Sequence, residues 1–259
     1  MLSFRSSLAV FTFLMALSLT TANAADIAIV DFADQWTKSD ALRQTLDEFG
    51  IEYDDLTKDI ENGKLSFKDQ GLFFIGSMTT NNVKLHQSLD KNAKEIQDFV
   101  KRGGIVIEPT QADQNEANVD WLPAGLTCVR SDPDRADFKI KEAGHPLFNA
   151  PNKMTDKDFE GWGHQGWPTV WEVIASHKGF DVIAESQGSA AIMEGKFGSG
   201  LFVMMCLAPD KYHVVGNDDN TKKMAGLFME NILETYTPQA VELTGKLATT
   251  WGTLKRLGR

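Results

Sequence analysis

Apolar and polar positions follow two rhythms along this chain. Short, largely apolar runs at residues 26–32, 71–76 and 105–107 are separated by stretches in which apolar residues recur every three or four positions. The first rhythm predicts strands covered on both faces, the second amphipathic helices. Residues 26–32, rich in β-branched side chains, predict a first strand. Leu42, Leu46 and Phe49 then share a helical face, with Ser39 or Asp40 as cap and Gly50 as stop. Residues 51–56 predict an edge strand and residues 71–76 a central one. After Ser77, the spacing of Leu85, Leu89, Ala93, Ile96 and Val100 predicts one long helix ending at Gly103-Gly104, just before the strand at 105–107. This alternation implies an α/β fold, doubly wound on a mostly parallel sheet of flavodoxin-like kind.

The second half is richer in loops and hairpins. Residues 121–129, 138–140, 169–174, 181–184, 190–193 and 201–207 predict strands, and Phe197-Gly198-Ser199-Gly200 predicts a tight hairpin turn, because glycine reaches the positive φ such turns need. Gly161-Trp162-Gly163-His164-Gln165-Gly166-Trp167-Pro168 fits neither a regular helix nor a central strand. A last helix starts near Asn217-Asp218-Asp219-Asn220, turns Met224, Phe228 and Ile232 inward, and is closed by Pro238.

Residues 1–24 change the picture of where the protein works. Arg5, the apolar run at 8–17 and Ala22-Asn23-Ala24 have the order of a secretory signal peptide, with an apolar core shorter than a membrane-spanning helix. The expectation is a periplasmic or extracellular protein with no membrane segment after cleavage, a domain over 25–238 and a basic tail over 239–259. A formal net charge of −10 argues against nucleic acid as a partner. Export would permit a disulfide between Cys128 and Cys206, but both lie in apolar segments, and buried unpaired thiols are the simpler reading.

The helix entering Gly103-Gly104-Ile105-Val106-Ile107, the segment His145-Pro146-Leu147-Phe148-Asn149, and Ala191-Ile192-Met193 leading through Lys196-Phe197-Gly198-Ser199-Gly200 into Leu201-Phe202-Val203 carry a resemblance. Together, over residues 26–236, they resemble the class I glutamine amidotransferase-like superfamily in its trehalose-utilisation-like branch. The resemblance implies a nucleophilic Cys on an elbow after a central strand, with a His and an acid after a later one. The elbow corresponds to Pro109-Thr110-Gln111, which has no Cys or Ser, while Asp210 and His213 fall in the later region. A base without a nucleophile cannot run acyl transfer, and an internal Thr hydroxyl is a weak substitute. The resemblance therefore implies the scaffold without the glutaminase chemistry.

Ligands of such sheets bind beyond the carboxyl ends of the strands, here residues 31–34, 76–79 and 110–113. The ligand-binding candidates are Ser77, Thr110 and Gln111 at that edge, with Trp162, His164 and Trp167, whose rings are suited to stacking on sugars or to sealing a loop-rich lid. The catalytic candidates are His213, Asp210 and Thr110, with a carbonyl-capping histidine as the plainer reading of His213. Asp156, Asp158 and Glu160 alternate like the opening of a calcium loop, but Trp167 occupies its closing position, so a solvated acidic turn is preferred. No metal and no cofactor is expected.

The leading function is an exported ligand-binding or accessory module, with carbohydrate as the ligand class. A hydrolase or isomerase acting on a sugar derivative through His213 and Asp210 is one alternative. A structural subunit of an exported assembly, with a protein partner on the tail, is the other.

Overall fold

The computed structural model describes residues 26–109, 119–131 and 137–237. The elements of the first half are β1 (Ile27–Val30), α1 (Ala41–Phe49), β2 (Asp54–Asp55), α2 (Thr57–Glu61), β3 (Leu72–Ile75), α3 (Val83–Lys91), α4 (Ala93–Lys101) and β4 (Ile105–Glu108). Those of the second half are β5 (Thr127–Ser131), β6 (Lys139–Ile140), β7 (Val173–Lys178), β8 (Asp181–Ser186), β9 (Ser189–Phe197), β10 (Gly200–Met205), α5 (Pro209–Val215) and α6 (Asp219–Tyr236). The fold is α/β on one mixed sheet, ordered β2-β1-β3-β4-β10-β9-β7-β5, with β8 pairing β9 and β6. The block β2-β1-β3-β4-β10 is parallel. The remaining pairs are antiparallel.

Every residue of β1 and β3 is buried, which is why both read as unbroken apolar runs. From β1 the chain runs out to the edge strand β2 and returns to β3 on the other side of β1. The strand order therefore reverses between β1 and β3. Loops leaving two adjacent parallel strands in opposite directions open a crevice at their carboxyl ends. Helix α5 packs against both α1 and α6, so the segment after β10 is pressed against the start of the fold.

Two expectations need correction. The long helix expected over 85–100 is two helices, α3 and α4, separated at Asn92. The Asn92 side-chain amide donates to the Ser88 carbonyl at 2.7 Å, a local bond that competes with the helical ladder. The strands expected at 121–129 and 169–174 instead begin at Thr127 and Val173.

Other local readings hold. Asp218 caps α6 by accepting from the Thr221 amide at 2.9 Å, and Gly50 closes α1 in the left-handed region. Asp158 bonds the Thr155 amide and hydroxyl in a short helical turn, so the acidic run there caps backbone. Cys128 and Cys206 are buried and free, and burial pushes the Cys128 thiol up to about 12.

The β9–β10 turn fixes how α4 meets the sheet. A Cβ on Gly200 would lie 2.1 Å from the Gly104 carbonyl oxygen and 2.2 Å from that of Val100. Both obstacles are backbone, so no side chain can swing aside. Gly200→Ala should therefore destabilise the protein by about 2 kcal/mol or more in urea unfolding. A change within about 0.5 kcal/mol, the range of ordinary surface substitutions, would contradict this packing.

Candidate functional site

Three chain segments meet at the carboxyl edge where the strand order reverses. The first follows β1. Asp31 accepts from the Phe32 amide at 2.8 Å and the Arg43 amide at 3.0 Å, while its own amide donates to Thr57 Oγ1 at 3.0 Å. Asp34 then turns the loop by accepting from the amides of Trp36 and Thr37, both at 2.8 Å, and from the Thr37 hydroxyl.

The second segment follows β3. A Cβ on Gly76 would lie 2.4 Å from Asp31 Oδ1, so a side chain there would have to displace the Asp31 carboxyl from the amides that hold it. Ser77 donates its amide to Asp210 Oδ2 at 3.0 Å and its hydroxyl to Asp210 Oδ1. The third segment is the start of α5, which supplies Asp210 and Lys211, both fully buried. Lys211 Nζ lies 3.1 Å from Asp34 Oδ2 and donates to the carbonyls of Phe32, at 3.1 Å, and Ser39.

These contacts give the two acids after β1 different characters. Burial, reinforced by the charge of Asp210, pushes the Asp31 carboxyl up to about 7, against the opposing pull of Lys211 and Arg43. Burial acts in the same direction on Asp34, but Lys211 and the hydrogen bonds from Thr37 and Trp36 prevail and hold it below its ordinary value. At neutral pH the edge thus holds a firmly ionised Asp34 beside an Asp31 that titrates.

Asp31 also forms part of the wall of an open cleft of about 470 Å³, bounded by Phe32, Arg43, Asp55, Thr57 and Glu61 among others. Arg43 is held in it by Asp55 at 2.8 Å, Thr57 Oγ1 at 2.7 Å and Asp40 at 3.5 Å. The lining offers carboxylates, a guanidinium, a hydroxyl and the half-buried Phe32 ring to a polar organic molecule. Among the described residues, no group of three or more His, Cys, Asp or Glu side chains is arranged to hold a metal ion.

A second buried cluster stands at the end of β4, just before the expected elbow. Arg130 lies 3.1 Å from Glu108 and 3.1 Å from Glu172, and donates to the carbonyls of Glu108, Pro109 and Met205. Burial pushes the Glu108 carboxyl up despite the Arg130 charge beside it. This cluster ties β4, β5 and β10 together at their ends.

The structure brings together some of the residues singled out in the sequence and separates others. Ser77 and Asp210 meet, but as a buried pair; Ser77 does not stand on an exposed turn. His213 does not face Asp210: its Nδ1 bonds the Lys222 carbonyl at 3.0 Å and its Nε2 lies 3.2 Å from Glu48. Trp162 is 2% exposed, packed on Phe159, Tyr212 and Phe228, so its indole is core and presents no open face. His164 is also buried, bonded to the Val215 carbonyl. Trp167 is half-buried between Trp36 and Trp171. Thr110 and Gln111 lie outside the described residues.

Arg43, Thr57 and Lys211 were missed by sequence reasoning. The signal available for Lys211 was its place in Ala208-Pro209-Asp210-Lys211, at the start of a helix beyond the carboxyl end of a strand.

The fold and site define an α/β protein with a polar cleft at the carboxyl edge of its parallel block. No family model matches the chain, and none of the curated proteins matches it. Among solved structures, it is similar to the β-galactosidase from Rahnella sp. R3 at 13% identity and a TM-score of 0.49, over 84% of this chain and 32% of that one. It is similar to the β-galactosidase from Bacillus circulans sp. alkalophilus at 12% identity and a TM-score of 0.44, over 81% and 31%. A cytoplasmic protein from Salmonella typhimurium LT2 aligns at 11% identity and a TM-score of 0.46, over 81% and 98%. The chain thus spans about a third of the length of either galactosidase. At these identities and TM-scores neither fold nor site residues are carried over from them.

The raised Asp31 makes stability fall with pH. Its folded carboxyl keeps a proton to about 7, whereas the unfolded chain releases it near 3.8, so the folded state binds more protons between these values. The contribution is fully present below the unfolded value and is lost as pH rises through the folded one, by up to about 4 kcal/mol. Asp31→Asn should gain on the wild type progressively over this window in urea unfolding. A difference between the two proteins that does not vary with pH would contradict the assignment.

Proposed function

We propose that this chain is an exported, non-glutaminase ligand-binding or accessory module of amidotransferase-like scaffold, and that the cleft beside Asp31 takes a polyhydroxylated ligand of carbohydrate type. The observation that carries this reading is the position and lining of the cleft. It lies at the carboxyl ends of β1 and β2, on the far side of β1 from the reversal of strand order, and it combines hydrogen-bonding groups of both polarities with the half-buried Phe32. Sugars ask for this combination, since their hydroxyls donate and accept while their C–H faces pack on a ring. The parallel block, in which β1 lies between β2 and β3, supports a doubly wound scaffold. The charged, apolar and small-residue order of residues 1–24 supports export.

Binding is preferred to the hydrolase or isomerase alternative because the polar groups that alternative needs are engaged elsewhere. The Ser77 hydroxyl is buried and donated to Asp210, so it is not poised to attack a substrate. His213 and Asp210, the pair that a sugar hydrolase or isomerase would need on one substrate, have separate partners. No observation favours that alternative over binding.

A ligand that binds only the folded state raises the melting temperature by mass action. At about 100-fold excess over its Kd, the matching mono- or oligosaccharide should raise the melting temperature of the purified protein by roughly 5 °C or more. Phe32→Ala should weaken that binding about tenfold, the effect of losing roughly 1.4 kcal/mol of ring contact. If no sugar in a broad panel shifted the transition, or if the shift survived Phe32→Ala unchanged, the reading would fail.

A further inference from the structure

Residues 145–152, between β6 and β7, form a strap against α6 that is held at its two ends by different chemistry. Asn231 of α6, fully buried, holds the far end. Its side-chain amide donates to the carbonyls of Leu147, at 2.9 Å, and Asn152, at 2.8 Å, and its Oδ1 accepts from the Asn152 amide at 2.9 Å. None of these groups titrates. Between the ends, Leu147 and Phe148 enter the core, where the Phe148 ring stacks on Phe228 of α6 at 6.3 Å and meets Phe138 and Phe159 edge-on.

His145 holds the near end. Its Nδ1 accepts from the Leu147 amide at 3.3 Å and so caps the short helical turn Pro146–Phe148. A donor at Nδ1 places the ring proton on Nε2, which lies 3.3 Å from Glu194 Oε1 on β9. Tyr236 of α6 donates to the same oxygen at 2.6 Å. Burial pushes the Glu194 carboxyl up, but the hydrogen bonds from His145 and Tyr236, with Lys196 nearby, prevail and hold it below its ordinary value. Glu194 therefore stays ionised in mild acid. The His145 and Glu194 side chains are 15% and 18% exposed, so protons of the medium reach them. The ionisable groups around His145 are Glu194 and Lys196 from β9 and Tyr236 from α6; on the strap's own approach Glu142 is exposed and Lys141 pairs with Glu185 of β8 at 3.1 Å.

The two nitrogens of His145 meet opposite demands when the ring takes a second proton. At Nε2 the imidazolium gains a charge-assisted bond to Glu194. At Nδ1 the new N–H faces the Leu147 N–H, donor against donor, and the cap is lost. We propose that His145 is an acid-sensitive latch on this strap: at neutral pH it closes the turn at residues 146–148, and in mild acid the imidazolium keeps Glu194 and releases the Leu147 amide. The Asn231 end does not titrate and stays fastened, so the change is a local opening at residues 145–148 and not an unfolding of the domain. None of these groups borders the cleft beside Asp31.

Hydrogen exchange of the Leu147 amide in the purified protein, followed from about pH 7.5 to about pH 5 and corrected for the pH dependence of intrinsic exchange, tests the latch. Across this range, in which histidine ordinarily changes its charge, protection at Leu147 should fall about fivefold or more, the usual weight of a lost cap, while Asn152 keeps its protection. His145→Asn retains a side-chain oxygen able to cap and cannot titrate, so its Leu147 protection should not vary with pH. Glu194→Gln removes the counter-charge of the imidazolium and should move the loss to lower pH. Constant protection at Leu147 in the wild type would overturn the proposal. So would a loss that persists unchanged in His145→Asn, a loss at the same pH in Glu194→Gln, or a parallel loss at Asn152 that showed the whole strap opening.

Discussion

One buried ammonium group organises the carboxyl edge of this protein. Lys211 Nζ reaches from the first turn of α5 to Asp34 and to the carbonyls of Phe32 and Ser39, so it joins the loop after β1 to the helix after β10. A charge this deeply buried is tolerated only when paired and hydrogen-bonded, and losing one partner of such a pair costs about 3–5 kcal/mol. The pairing fixes the course of residues 31–39 and, through them, the position of Asp31 and the entry into α1 that places Arg43. Asp210, the neighbour of Lys211, fastens the other side of the edge by holding Ser77 after β3. Two consecutive residues of α5 thus lock both strand ends at the point where the sheet order reverses.

This lock accounts for the contrast among the acids at the edge. Asp34 receives the ammonium and stays ionised. Asp210 receives the Ser77 donors. Asp31 accepts two backbone amides, but burial, reinforced by Asp210, outweighs the pull of Lys211 and Arg43 and raises it to about 7. The group with the least compensation is the one that borders the cleft, an arrangement seen where a protein keeps a carboxyl available to a ligand. The Glu108–Arg130–Glu172 cluster, by contrast, is closed around its guanidinium and serves to join strand ends.

Much of the fold was legible because buried parallel strands read as apolar runs and helices as periodic ones. The β1–α1 unit, the central β3, and the turn at Gly198 all followed from local pattern. The break at Asn92 did not, because it depends on one side-chain amide bonding a carbonyl four residues back. Membership of the second-half hairpins in the same sheet depends on pairing between distant segments, such as β10 with β4, which no local window reports. The site was legible as a location and much less as a set of residues. Residues 31–34 and 76–79 could be assigned to the carboxyl edge from strand order alone. That Ser77 meets Asp210, 133 residues away, could not. The tryptophans show the same limit: aromatic density marked the region around Trp162, but only packing distinguishes an indole enclosed by Phe159, Tyr212 and Phe228 from one open to a sugar.

The central claim is that ligand binding takes place at the carboxyl ends of β1 and β2, in the cleft bordered by Asp31. Amide chemical-shift mapping during a saturating sugar titration tests it most directly, since the Phe32 and Arg43 amides donate to the Asp31 carboxyl and report on its surroundings. The account predicts saturable shifts at Phe32, Arg43 and Thr57, with the amides around Trp162 and His164 unmoved. Shifts concentrated around Trp167, or at the β9–β10 turn near Gly198, with Phe32 and Arg43 unchanged would contradict it.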